Sequence, residues 1–254
     1  DDPYIIENVT VNDGISIGDS SVYFVIRNSS VNGGISIRDS SVYFVIRNCS
    51  VYEGGYYGKG IKLNNVTNSM IFNNTAYNNY YGIYLTDSNN NTLLDNTAYN
   101  NNYGIYLTDS NNNTLLENTA YNNYNGIYVA YGSTNMISGN TANDNKFLGI
   151  QLYYSYNNTI RDNTVNFNDY TAGIFLDDSY NNTVRDNTVN FNANTGIFLD
   201  DSYNNTIELN NVKNNYGDGI SLWESNNNDI LRNEANDNDR YGIYLFGYMS
   251  ICNN

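Results

Sequence analysis

Two carboxylate doublets, Asp177-Asp178 and Asp200-Asp201, stand 23 residues apart, and Trp223-Glu224 follows after a further 23. Tyr153-Tyr154 holds the equivalent place upstream. Acids flanked by aromatic rings are what a sugar-handling site needs. The carboxylates bond hydroxyls or move protons, and the ring faces cover the apolar side of a pyranose. Oxygen-only ligands at flexible corners also suit Ca²⁺. Like charges brought within about 5 Å repel unless a raised pKa or a cation relieves them. Single acids recur at the same phase, at Asp19, Asp39, Asp87 and Asp109, so the plainest reading is a hydrated acidic edge. A second chemical feature is aromatic: Tyr84, Tyr106 and Tyr128 follow one another at 22-residue steps, and Phe175, Phe198 and Tyr244 continue the series. Such columns serve for packing, for contact with another protein or for a sugar platform.

Other chemistries are excluded by composition. The chain contains no His, which removes His-ligated metal sites and His-based triads. A net charge of −15 with no basic cluster argues against a nucleic-acid partner. No apolar run is long enough to span a membrane. Cys49 and Cys252 lie nine repeats apart, roughly 40 Å at about 4.8 Å per repeat, beyond disulfide reach.

Residues 22 to 24 apart meet only if the chain coils with that period. A Gly-Ile pair recurs eleven times, from Gly14 to Gly242. An asparagine recurs in step with it: Asn8, Asn28 and Asn48, then Asn74, Asn96, Asn118, Asn140, Asn163, Asn187, Asn210 and Asn233. This is the rung of a β-solenoid. Apolar residues fall one and three places after each Gly, and three places before each Asn (Ile5, Val25, Val45, Ile71, Leu93 and onward); a smaller one, mostly Ala or Val, falls two places after it. Each rung therefore buries three large side chains and one small one, at roughly 1.5–3 kcal/mol per large side chain. The ladder Asn is expected to turn inward and bond the amides above and below. The Gly is expected at a crowded or positive-φ corner. On this reading Asn118→Leu costs several kcal/mol and Asn112→Ala is nearly silent.

Gly149-Ile-Gln-Leu152 followed by Asn157-Asn-Thr-Ile160 and Asn163-Thr164 resembles the repeats of NosD-like and carbohydrate-binding, sugar-hydrolase class right-handed parallel β-helix proteins. The resemblance covers nearly all of residues 4–254. It implies an all-β, single-stranded right-handed parallel β-helix of about eleven rungs forming one domain over 1–254, a segment of a longer chain or the subunit of a stack. It specifies function poorly, because members include periplasmic accessory proteins, polysaccharide lyases, epimerases and archaeal surface proteins. The Gly-His-Gly, Arg-Ile-Lys and Asp-Pro-His-Asp signatures of its enzymes are absent, and no residue is assigned as catalytic. A copper-handling role lacks His and a Met cluster.

Sequons at Asn65, Asn73, Asn90, Asn112, Asn157, Asn181 and Asn204 are glycan-acceptor candidates in a secreted chain. Those at Asn8, Asn28 and Asn48 coincide with the ladder and are expected to be buried and unmodified. The longest rung carries a Gly/Tyr loop, Val51–Lys59, and neither end shows a cap, which suggests end-to-end self-association. The leading expectation is an extracellular structural or surface-layer protein that polymerises and is glycosylated. The alternative is a carbohydrate-binding module or Ca²⁺-dependent lyase or hydrolase, with Asp177, Asp178, Asp200 and Asp201 as metal or sugar ligands and Trp223, Glu224, Tyr153, Tyr84, Tyr106 and Tyr128 as contact residues.

Overall fold

In the computed structural model, which describes residues 2–52 and 58–247, every regular element is a short parallel strand. One rung shows why. Tyr81–Thr86, Thr92–Leu94 and Thr97–Tyr99 are strands in which apolar and polar residues alternate, so each buries one face. Between them the backbone enters the left-handed region at Asp87, Asn90, Asp95 and Asn100, with φ of 51°, 58°, 54° and 54°. Asn and Asp tolerate that conformation better than other side-chain-bearing residues. Each of these is followed by a buried polar residue: Ser88, Asn91, Asn96 and Asn101. One residue thus turns the chain and the next points its side chain inward.

Repetition of this unit stacks three sheets. The first runs from Tyr4–Glu7 to Asp229–Leu231 and the third from Ile15–Gly18 to Ile243–Phe246, with eleven strands each. The second has seven, from Thr10–Val11 to Thr141–Asn143, and continues as single bridges through Thr164, Thr188 and Asn211 to Glu234. All strand pairing is parallel, and the inward columns set aliphatic over aliphatic, for example Ile83↔Ile105 and Leu85↔Leu107. The core is one continuous cluster of Ile, Leu, Val and Ala along the axis.

The asparagine ladder forms as expected from Asn74 onward. Asn96 donates from Nδ2 to Ile71 O at 2.8 Å and to Asn118 Oδ1 at 2.9 Å, and its backbone N–H donates to the same oxygen at 3.0 Å. Asn118, Asn140, Asn163 and Asn187 repeat the pattern. Asn210 and Asn233 extend it toward the last rungs, where Asn233 is half-buried.

The first three rungs depart from the expected register by one residue. Asn8, Asn28 and Asn48 are exposed left-handed turn residues, equivalent to Asn73 rather than Asn74. The pairing Ile46↔Ile71 places Ile6, Ile26 and Ile46 inward, whereas Ile5 is exposed and Val45 half-buried. The buried step is taken by Ser29 and Cys49, and the Cys49 N–H donates to Asn74 Oδ1 at 3.0 Å. Asn28, Asn48 and Asn73 form an outer amide ladder instead, with Nδ2-to-Oδ1 contacts of 3.1 and 3.0 Å. The expectation that these sequons are buried is therefore overturned.

From Gly60 onward the glycine before each third-sheet strand answers crowding alone. A Cβ on Gly104 would lie 2.6 Å from Gly126 O and 2.8 Å from Asn123 Nδ2, whereas among the described glycines positive φ is found at Gly14, Gly33, Gly34 and Gly139.

Candidate functional site

The third sheet's outer face brings the chemistry-bearing residues together. Register sets Tyr153, Asp177, Asp200, Trp223 and Phe246 in one column. Tyr154, Asp178, Asp201 and Glu224 occupy the adjoining corner, each left-handed with φ between 44° and 48°. The acids thus lie in a gap two rungs wide in an aromatic ladder. On one side Tyr153 and Tyr154 meet edge-on at 4.5 Å between ring centroids, with Tyr131 stacked on Tyr154 at 5.6 Å. On the other side Trp223 tilts against Phe246 at 5.1 Å and meets Phe198 edge-on at 6.3 Å. Trp223 is 44% exposed, so its indole is available as a wall of the gap.

Burial, reinforced by Asp178, Asp200 and Asp201, raises the Asp177 carboxyl to about 6. Asp200 is raised for the same first reason, with Asp201, Asp178 and Glu224 adding to it. The neighbouring Asp178 carboxylate, more than burial, pushes the Tyr154 phenol up to about 12. Two carboxyls one rung apart, roughly 5 Å, both raised above the ordinary carboxylate range and one of them to about 6, have the form of an acid–base pair. Among the described residues no group of three or more Asp, Glu, Cys or His side chains is placed to hold a metal ion.

Toward the N-terminal rungs the same face becomes a tyrosine slab. Tyr84 stacks on Tyr106 at 5.3 Å, and Tyr103 and Tyr81 lie against them within 5.4 Å. Tyr128 closes the series, tilted on Tyr106 at 5.1 Å. Desolvation raises Tyr81, Tyr103, Tyr106 and Tyr128, so this surface stays uncharged. Rings stacked face on face present their edges and hydroxyls outward. A ring face is freed where a stack ends, and on this edge of the third sheet that happens at the acidic gap.

The sequon asparagines Asn65, Asn90, Asn112, Asn157, Asn181 and Asn204 are exposed left-handed corner residues, as is Asn73. Two further buried asparagine ladders, through Asn79–Asn101–Asn123–Asn145 and Asn91–Asn113–Asn135–Asn158, escaped the sequence reading. Their signal was present in Asn-Asn doublets, whose first member turns the chain and whose second is buried. Cys252 and most of the Val51–Lys59 loop lie outside the described residues.

Two family models match this geometry: "Right handed beta helix region" over residues 4–142 and "Periplasmic copper-binding protein (NosD)" over residues 125–254, each more than half of the chain. The chain belongs to the NosD-type right-handed β-helix family. No curated protein sequence matches this β-helix. Among solved structures it is similar to the A-module of a mannuronan C-5 epimerase from Azotobacter vinelandii, with 19% identity, TM-score 0.74, and 95% of this chain and 78% of that one covered. It is also similar to the Dettilon tailspike protein, with 13% identity, TM-score 0.73 and coverages of 96% and 62%. The catalytic domain of an α-1,3-glucanase follows, with 14% identity, TM-score 0.57 and coverages of 98% and 62%. At these identities the likeness shows the fold alone. Among the described residues the copper of the family's description finds no site. There is no His, Met70 and Met136 stand three rungs apart, and the Cys49 thiol is buried, donates to Arg47 O at 3.3 Å and is held above its usual pKa by burial. Copper sites need soft or imidazole donors gathered at one point.

Proposed function

We propose that this β-helix is an extracytoplasmic polysaccharide-binding protein whose glycan site is the acidic gap on the outer face of the third sheet. The observation that carries the reading is the single column Tyr153–Asp177–Asp200–Trp223, in which two aromatic walls enclose two carboxyls. An aromatic wall takes the C–H face of a sugar while carboxyls accept from its hydroxyls. Structural neighbours named for action on polysaccharides support the ligand class. The family's periplasmic description supports the compartment. The exposed corner asparagines are sequons that an exported chain would offer as glycan acceptors. Titration of the protein against a glycan array with and without Trp223→Ala tests the reading. Binding that survives Trp223→Ala and Asp200→Asn unchanged refutes this site.

A second reading, slow glycoside hydrolysis at the same gap, is favoured by the raised Asp177 carboxyl beside Asp200. Release of reducing ends from the bound glycan, abolished by Asp177→Asn, distinguishes it from binding alone. Self-association end to end is the structural alternative, and sedimentation velocity across salt and Ca²⁺ concentrations tests it.

A further inference from the structure

All length variation after Gly82 falls at one corner. From each Gly to the following ladder Asn the spacing is constant at 14, as for Gly104–Asn118, Gly126–Asn140 and Gly149–Asn163. From ladder Asn to the next Gly it grows from 8 (Asn118–Gly126) to 9 (Asn140–Gly149) to 10 (Asn163–Gly173). The extra residues enter at the corner leading into the third sheet, the edge opposite the acidic gap. Each longer corner carries one residue more than the one before it, a stepped ledge whose longest member leaves Tyr170 71% exposed. Phe147, packed against the small outer cluster of Leu148, Ala172 and Phe175, anchors that ledge.

Under the ledge lies a groove of about 520 Å³ whose lining includes Asn102, Asn122, Tyr124, Asp144, Lys146 and Asp169. Tyr124 heads a ring stack through Phe147 to Tyr170, with centroid separations of 5.2 and 5.3 Å. The residue before Tyr124 in its column is Asn102, so the stack ends over an amide. Some outward polar side chains elsewhere on the coil are paired with the next rung, as at Asn48, Asn65 and Asn73. By contrast, the side chains of Asn102, Asn122, Asp144, Lys146 and Asp169 make no hydrogen bond or ion pair among the described residues. Amide donors and acceptors, two carboxylates and one ammonium are thus left unspent around one ring.

We infer that this groove is a separate binding site for a short stretch of neutral polysaccharide, with one hexose ring seated on Tyr124 and its hydroxyls bonded by Asn102, Asn122 and Lys146. The volume lies within the roughly 300–1,000 Å³ of small-molecule sites and exceeds the needs of one sugar ring. Neutral sugar is selected because a uronate would meet Asp144 and Asp169 against the single Lys146, on a chain of net charge −15. The ligand class rests on the polysaccharide reading given above, but the site does not.

The test is saturation-transfer NMR and calorimetry of the whole protein with neutral glucan and mannan trisaccharides and with trigalacturonate, each up to about 10 mM. A neutral trisaccharide binds and trigalacturonate does not. In a Trp223→Ala background, which removes the acidic gap's contribution, the neutral trisaccharide still binds, and Tyr124→Ala and Asn102→Ala each weaken that binding by about tenfold or more with circular dichroism unchanged. Loss with Trp223→Ala alone overturns the groove and leaves the acidic gap as the site. Loss with Tyr124→Ala alone supports the groove and leaves the acidic gap to the glycan-array titration. Absence of binding by any neutral trisaccharide overturns the groove, while the acidic gap stands or falls on the glycan array.

Discussion

Replacing Asn118 with Leu tests whether buried amides, and not only aliphatic columns, hold the coil together. Asn118 is fully buried. Its Oδ1 accepts from the Asn96 backbone N–H at 3.0 Å and from Asn96 Nδ2 at 2.9 Å, and its Nδ2 donates to Leu93 O at 2.9 Å and Asn140 Oδ1 at 3.0 Å. After substitution Asn140 Oδ1 keeps the backbone N–H of residue 118, and Asn96 Nδ2 keeps Ile71 O. Two donors are orphaned: the Asn96 backbone N–H and the second Asn96 amide hydrogen. At about 1–3 kcal/mol for each buried group left unpaired, the loss is about 2–6 kcal/mol. The control is Asn112→Gly, an exposed residue with φ of 55° whose side chain bonds only Asn90; it should change stability by about 0.5 kcal/mol or less. Asn112→Ala, nearly silent on the sequence reading, should instead cost about 1 kcal/mol, because alanine gains a strained left-handed backbone. Urea unfolding followed by Trp223 fluorescence measures all three, and hydrogen exchange at the Asn96 amide reports the orphaned donor directly. An Asn118→Leu change no larger than that of Asn112→Gly, or an Asn96 amide still fully protected, refutes the ladder argument.

The Asp177 carboxyl, raised from 3.8 to about 6 by burial and its acidic neighbours, binds its proton more tightly in the folded chain than in the unfolded one. Stability must therefore fall as pH rises from about 4 to about 6, and Asp177→Asn should flatten that slope, by on the order of 1 kcal/mol after allowing for solvent screening; Tm across pH 3.5–7.5 checks it. Gly104→Ala should destabilise by about 1–3 kcal/mol, because its Cβ would meet Gly126 O at 2.6 Å; a silent substitution in thermal denaturation contradicts the crowding argument. In a Cys252→Ser background Cys49 should react with a thiol reagent only on unfolding, since its sulfur is buried and its pKa raised. Rapid native labelling places it elsewhere.

The sequence by itself determined the coil, its period and which residues share a column. Those follow from local spacing repeated eleven times, and a wrong period would expose every Ile after Gly at once. It also brought Asp177, Asp200 and Trp223 to one edge, because residues one period apart must stack. It did not decide between neighbouring asparagines. In Asn73-Asn74 or Asn100-Asn101 one member turns the chain outward and the other is buried, and nothing in composition separates them. The first rungs, with Asn28-Ser29 and Asn48-Cys49, were consequently misread by one residue. Only the tertiary structure fixed which side chain enters the core, because that depends on where the left-handed turn falls relative to the rung above. The groove beneath Tyr124 is likewise a property of three dimensions. The loop lengths were legible, but the unspent polar groups around one ring appear only when successive corners are laid over one another.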